Sequence, residues 1–168
     1  MPLIVMKTGE HRNADAIDKV IHYIFSSSFY AYGGVNRVFG YNEQVIIDSF
    51  KVIQEHFDKT DAKRIQHIII GFDKKEDIGI GMAYNIALAA AQYIGNRFQC
   101  CYAVHKGSSD APNYVHIHLA INTVSWLDGN RYYETNQNLY DLAGYLNNST
   151  SDMYYWKVKT DPSCSWEI

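Results

Sequence analysis

The sequence predicts an α+β domain in which helices pack on an antiparallel sheet. Its 168 residues match the length of one ordinary domain, so we expect residues 1–168 to form a single unit. Hydrophobic residues make up 47% of the chain and charged residues 20%, which provides a core and excludes a disordered protein. Strand-like and helix-like segments follow one another without a regular strand–helix–strand repeat. That irregular order favours an antiparallel sheet over a parallel one.

The first half of the chain contains two predicted strands and two predicted helices. Apolar residues 3–7, ended by Thr8-Gly9, predict the first strand. Apolar residues at helical spacing predict helices over residues 13–25 and 42–57. Between these helices, the glycine- and tyrosine-containing residues 26–34 predict a flexible aromatic loop. A short apolar run bounded by charge predicts a buried strand over residues 64–72.

The second half contains the most informative pattern. An alanine-rich helix is predicted over residues 82–94, with Gly95-Asn96 as its end. Residues 98–105 and 114–125 predict two strands, and their short polar connection favours an antiparallel hairpin. After the Asp128-Gly129 turn, we expect a possible strand at 131–134 and a helix at 139–146. The aromatic tail from Asp152 gives no clear pattern.

Composition also limits the function classes. The net charge of −3 gives no general electrostatic reason to expect nucleic-acid binding. No apolar run reaches the ~18 residues of a membrane span, and residues 1–7 are too short for a signal peptide. Three cysteines cannot form a disulfide framework, so we expect a reduced, cytoplasmic protein.

Three histidines are predicted to meet at the hairpin. In the strand over residues 114–122 side chains alternate, and Val115, Ile117, Leu119 and Ile121 form the apolar, core-facing side. His116 and His118 share the other side, and the hairpin brings His105 close to them. Three imidazoles can hold one metal ion and leave coordination positions open for a substrate. The remaining histidines are expected to be structural or surface residues: His11, His22, His56 and His67.

These residues resemble a known family. The segment His116-Ile117-His118-Leu119-Ala120-Ile121-Asn122 resembles the HUH motif of conjugative relaxases, the MobA/MobL-type mobilization nucleases. Ala103-Val104-His105 resembles the strand that carries the third histidine of that family, and Ile21-His22-Tyr23-Ile24 resembles its tyrosine-bearing helix. The resemblance covers roughly residues 3 to 148 and implies an HUH-endonuclease (palm) fold.

Two features depart from that family. Gly107 stands where many relatives have an aspartate two residues after the first histidine. The chain also ends at residue 168, whereas family members often carry further regions, which implies a compact or partial relaxase.

The resemblance implies metal-dependent nicking of one DNA strand, for plasmid or transposon mobilization, through a 5′-phosphotyrosine intermediate. Tyr23 would be the nucleophile, and His105, His116 and His118 would hold one divalent ion. Mg²⁺ or Mn²⁺ is the expected working ion, although three imidazoles also suit Zn²⁺ or Ni²⁺, which could accompany the purified protein. Asn122 would either support a ligand histidine from the second coordination sphere or be an ordinary hydrogen-bonded strand residue.

DNA contacts are expected from aromatic and basic residues near the histidines. Tyr30 and Tyr32 are proposed to stack on bases. The basic residues expected to cluster at the site are Lys7, Arg12, Arg37, Lys106 and Arg131. We expect weak binding that prefers single-stranded DNA at a transfer origin, with accessory DNA-binding proteins as partners.

Three other interpretations remain open from the sequence. Rolling-circle replication initiators and small single-strand transposases carry their tyrosine after the HUH strand, and Tyr154 in Tyr154-Tyr155-Trp156-Lys157 fits their loose Tyr-x-x-Lys pattern. A non-catalytic DNA-binding module with a relaxase fold would agree with the acidic pI near 6.1. A metal-dependent hydrolase of small phosphate esters would need no DNA groove.

Overall fold

A computed structural model describes residues 2–7, 9, 11–26, 30–72, 76, 78–107, 114–150 and 156–161 of the chain. Six strands and four helices are formed by these residues. In chain order they are β1 (Leu3–Lys7), α1 (Ala16–Ser26), β2 (Tyr30–Asn36), α2 (Glu43–His56), β3 (Ile65–Gly71), α3 (Ile80–Gly95), β4 (Phe98–Lys106), β5 (Val115–Ser125), α4 (Asn136–Ser149) and β6 (Lys157–Asp161).

All six strands belong to one mixed sheet in the order β2-β4-β5-β3-β1-β6. Neighbouring strands from β2 to β1 pair antiparallel, which confirms the predicted α+β class and the predicted β4–β5 hairpin. The edge strand β6 instead pairs parallel to β1, so the sheet is mixed at that edge. The architecture is compatible with an HUH-endonuclease-like fold. Among the described residues, no helix has both the length and the apolar character that crossing a membrane requires.

Helices cover both faces of the sheet. On one face α3 and α4 pack against Ile117, Leu119 and Ile121 of β5. On the other face α1 and α2 pack against Cys101, Ala103 and Ala120. Because both faces are covered, β5 is buried at every position from Val115 to Ser125. The two clustered histidines of this strand therefore lie in the interior and not on a solvated surface.

Two local predictions need correction. Residues 30–34 of the predicted aromatic loop begin the edge strand β2, in which Gly34 pairs with Tyr102 of β4. The Tyr102 ring lies against Gly34, where an added Cβ would stand 2.4 Å from its hydroxyl oxygen, so this strand requires a residue without a side chain. The possible strand at 131–134 is reduced to one isolated bridge between Arg131 and Val124.

Candidate active site

The β4–β5 hairpin brings the three predicted histidines together. His105 lies directly opposite His116 in the strand register, and His118 follows two residues later on the same face. One ring nitrogen from each histidine lies within 4.8 Å of the others. All three side chains are at most 2% exposed. Such a group of neutral nitrogen donors can hold a metal ion.

The hydrogen bonds of the histidines leave nitrogens available in the middle of the cluster. His105 Nε2 donates to the Ile24 carbonyl of α1 at 2.9 Å, which leaves its Nδ1. His118 Nδ1 shares a hydrogen bond with His67 Nε2 at 2.8 Å. His118 Nε2 and both nitrogens of His116 are buried and have no partner among the described residues. A buried unpaired polar atom costs about 1–3 kcal/mol. A bound cation would take one lone pair from His116 and one from His118 Nε2. The donor set therefore fits a divalent metal.

Burial keeps these imidazoles neutral at pH 7. Removal from water lowers the pKa of His116 to about 4 and that of His118 well below the ordinary histidine value. The pKa of His105 is also lowered by burial, although its hydrogen bond to Ile24 opposes the shift. Neutral imidazole is the form that binds a metal ion, so protons do not compete with a cation here at neutral pH.

A tyrosine ring contacts each of the three histidines edge-on or face-on. Tyr23 of α1 meets His118 at a centroid distance of 5.6 Å with nearly perpendicular rings. Tyr30 of β2 lies 6.4 Å from His105. The third residue, Tyr114, stacks on His116 at 5.2 Å and was not singled out from the sequence. Its position two residues before His116 could have indicated it, since both side chains then share a strand face.

Two of the three tyrosines are exposed to a similar degree, and the third, Tyr114, is half-buried. Tyr23 is 40% exposed, and its partial burial raises the pKa of its phenol, which is therefore protonated at neutral pH. Tyr30 is similarly exposed, at 41%, and its ring also contacts Phe25. Tyr114 is engaged in a hydrogen bond with the backbone of Phe72.

A cleft of about 370 Å³ opens beside Tyr23. Its wall includes Lys7, His11, Asn13, Lys19 and His67. Lys7 ends β1 directly opposite His67 of β3, so this predicted basic residue does lie beside the histidine cluster. Lys19 is paired with Asp15 at 2.7 Å, which reduces its contribution to the local positive potential.

Two other predicted DNA contacts turn away from the histidines. A register shift between Tyr30 and Tyr32 pairs Tyr30 with His105 but Tyr32 with Val104, and neighbouring positions of β4 face opposite sides. The Tyr32 ring accordingly contacts Tyr84 of α3 on the other face of the sheet. Lys106 follows His105 and is exposed. By strand alternation it shares the side of Tyr102 and Val104, which pack with α3, and not the side of His105.

Arg37 and Arg131 lie at the other end of the sheet, so the expectation that they surround the histidines is wrong. Arg37 follows Asn36, whose partner Cys100 is five residues from His105, or roughly 17 Å along the strand. Its guanidinium stands 4.8 Å from the Trp126 ring centroid. Arg131 bridges to Val124 near the far end of β5 and donates to Asp61 at 2.6 Å.

Asn122 does not support a ligand histidine, so the alternative of a structural strand residue is the correct one. It lies four residues from His118, and all its amide capacity is used in a buried network with α2 and β4. Its partners are the Phe50 carbonyl, the Gln99 and Gln54 side chains and the Val124 amide. The side chain outside the cluster that hydrogen-bonds a clustered histidine is His67, which no sequence pattern distinguished from the other histidines.

Gly107 has a φ of 92°, a backbone conformation that favours glycine. An aspartate at this position would be strained, which gives a physical reason for its absence here. Tyr154 falls in residues 151–155, outside the described part of the chain.

Comparison with protein families identifies a relaxase family. A family model described as "Relaxase: MobA/VirD2-like, nuclease domain" matches residues 23–153, more than three quarters of the chain. The matched span includes Tyr23 and the three clustered histidines. No curated protein sequence matches the chain.

Proposed function

The chain belongs to the MobA/VirD2-like relaxase nuclease family, and from this membership we propose that it nicks and transfers single-stranded DNA through Tyr23. His105, His116 and His118 are proposed to hold one divalent ion, Mg²⁺ or Mn²⁺. The observation that supports this assignment most strongly is the contact of the Tyr23 ring with His118 at 5.6 Å. It places a partly exposed phenol beside a buried group of unpaired imidazole nitrogens.

Tyr23 supplies the nucleophile in the proposed reaction. Its hydroxyl loses a proton, and the oxygen attacks the phosphorus of a DNA phosphodiester. A bond forms between that oxygen and phosphorus, the bond from phosphorus to the 3′ oxygen breaks, and the departing 3′ oxygen gains a proton. The products are a 5′-phosphotyrosine and a free 3′-hydroxyl. When bound at the histidines, a divalent ion supplies Lewis-acid stabilisation of charge on the phosphate.

Helix α1 connects the nucleophile to the metal ligands. Tyr23 lies on this helix, and the carbonyl of the next residue, Ile24, accepts the hydrogen bond from His105. A displacement of α1 would therefore move the phenol and loosen one ligand together. This arrangement fixes the phenol relative to the cluster, as proximity catalysis requires.

The DNA strand is proposed to approach through the side on which Tyr23, Tyr30 and Lys7 lie. Tyr30 can stack on an unpaired base, a contact worth about 1–3 kcal/mol. Lys7 can contact a phosphate next to the cleft. Among the residues that the structure describes, few basic side chains lie near the histidines. We therefore propose that accessory DNA-binding proteins provide recognition of the transfer origin in the cell. The protein is expected to act in the cytoplasm.

Nicking assays of matched Tyr→Phe variants test this proposal. A labelled pool of single-stranded DNA with a randomised segment is incubated with protein and Mn²⁺, and covalent protein–DNA product is measured on a denaturing gel. We expect Tyr23→Phe to abolish the product, because only the attacking oxygen is lost.

Four control variants accompany that assay. Tyr140→Phe alters an exposed residue of α4 and should leave the product unchanged. Tyr30→Phe and Tyr114→Phe keep their rings and should retain product formation, as should Tyr154→Phe. Full activity of Tyr23→Phe, or complete loss in one of the other variants, would contradict the assignment of the nucleophile.

A further inference from the structure

His67 is the histidine outside the cluster that contacts a clustered one. We propose that it is a positioning residue, which holds His118 in the tautomer whose Nε2 lone pair faces the other two histidines. The inference takes from the proposed function only that a metal ion binds at the clustered histidines. Its own basis is the hydrogen bond between the two imidazoles.

The contact between these rings is short and shielded from water. His67 Nε2 and His118 Nδ1 are 2.8 Å apart, and the two side chains are 4% and 0% exposed. Strand β3 places His67 opposite Ala120 of β5, next to His118 on the same face. Because β3 is hydrogen-bonded to β5 on one side and β1 on the other, its backbone is fixed and the imidazole is held in place.

Hydrogen counting distinguishes two arrangements of this pair. One hydrogen lies between the rings, and each neutral imidazole carries one N–H in total. If His67 donates it, neutral His118 must carry its own hydrogen on Nε2, where no acceptor exists among the described residues. If His118 donates from Nδ1, its Nε2 keeps a lone pair that faces the cluster. Only the second arrangement produces a metal ligand.

The proposed role therefore requires His67 to accept a hydrogen bond. Hydrogen-bond partners of ligand histidines fix ring orientation and tautomer, and their loss typically costs 10–100-fold in metal affinity. The His67 ring also contacts the ring of Tyr23 at 6.1 Å, so His67, His118 and the proposed nucleophile contact one another in a group of three rings. Neither contact requires His67 to bind the ion itself.

Three variants separate positioning from packing. His67→Leu removes the acceptor and keeps an apolar side chain in the buried site. His67→Gln places an amide oxygen near the former Nε2 position and restores the acceptor. His56→Leu makes the same change as the first variant at an exposed histidine on α2, and serves as the control.

Mn²⁺ affinity by titration calorimetry is the first measurement. We expect a loss of about 10–100-fold for His67→Leu, recovery of most of it in His67→Gln, and no change in His56→Leu. If His67→Leu fails to fold, His67→Asn replaces it, because its shorter amide does not reach His118. Wild-type Mn²⁺ affinity in folded His67→Leu or His67→Asn would overturn the inference. So would a Mn²⁺ affinity of His67→Gln that is as low as that of the variant without the acceptor.

The tautomer of His118 in the metal-free protein is the second measurement, by nitrogen NMR of the imidazoles. We expect hydrogen on Nδ1 in the wild type and in His67→Gln, and a mixture of tautomers in the acceptor-free variant. Hydrogen on Nε2 in the wild type would overturn the inference. Absence of Mn²⁺ binding to the wild type would contradict the proposed metal centre instead, so the two failures are distinguishable.

Discussion

Individual ring nitrogens determine what the histidine cluster can bind. His105 and His118 each use one nitrogen in a hydrogen bond and keep the other, while neither nitrogen of His116 has a partner in the described structure. The alternation of side chains along the two predicted hairpin strands was sufficient to predict that these three residues meet, because it determines which strand positions share a face. It could not identify the hydrogen-bond partners, since Ile24 and His67 lie on elements distant in the chain.

Removal of one clustered histidine should eliminate metal-dependent stabilisation. With saturating Mn²⁺, a ligand that binds only the folded state at 100 times its Kd adds about 2.7 kcal/mol to the free energy of unfolding. We expect a rise in Tm on Mn²⁺ addition for the wild type and for His56→Ala, and none for His118→Ala. A Tm rise of wild-type size in His118→Ala, measured by calorimetry, would show that this residue is not a ligand.

Substitution of Asn122 should lower the free energy of unfolding and leave the metal site intact. Asn122→Leu leaves the buried Gln54 and Gln99 side chains without one partner each. We expect a loss of about 2–4 kcal/mol in the free energy of unfolding, measured by urea denaturation. The exposed Asn148→Leu should change it by less than about 0.5 kcal/mol. A marked loss of Mn²⁺ affinity in folded Asn122→Leu would restore a role for this residue at the metal centre.

At the scale of elements, strong periodicity predicted most of the structure and failed at the sheet edges. The β4–β5 hairpin, four helices and two further strands were recoverable because their apolar positions repeat at a defined spacing. Strand β2 was predicted as a loop because its glycines favour turns. The reason for Gly34 is the Tyr102 ring of another strand, which leaves no room for a Cβ there and which no local pattern reveals. The polar strand β6 has no apolar alternation, and its parallel position follows from pairing with β1.

The close approach in β2 gives a test of this element. In Gly34→Ala the new Cβ would overlap the buried Tyr102 ring, with a loss of about 1–3 kcal/mol in the free energy of unfolding. Gly81→Ala makes the same change on α3, where nothing lies within 4 Å, and should stabilise by about 0.5–1 kcal/mol. Urea denaturation of both variants is the measurement. Equal effects would show that β2 is not packed against Tyr102 in solution.

For the whole molecule, charge is distributed differently from the sequence expectation. Lys7 lies beside the histidines, whereas Arg37 lies at the opposite end of the sheet over Trp126. Chain order could not distinguish these positions. Lys7 ends β1 and Arg37 follows β2, and only the sheet register shows to which end of the sheet each residue belongs.

DNA binding should follow this distribution. On single-stranded oligonucleotides each neutralised phosphate adds about 0.7 to the dependence of log affinity on log salt concentration. We expect a shallow slope of log affinity against log salt concentration. Its magnitude should decrease by about 0.7 in Lys7→Ala and should not change in Arg37→Ala. Fluorescence anisotropy over a salt series measures both. Tighter binding to duplex DNA, or a decreased slope only in Arg37→Ala, would place the DNA on another surface.

Mapping of the covalent intermediate in the wild-type protein tests the central claim most directly. After incubation with a randomised single-stranded DNA pool and Mn²⁺, nuclease and protease digestion leaves any attached nucleotide on its peptide for tandem mass spectrometry. We expect a nucleotide joined through its 5′-phosphate to Tyr23. An adduct on Tyr154 or another tyrosine, or nicked DNA without any protein adduct, would contradict it.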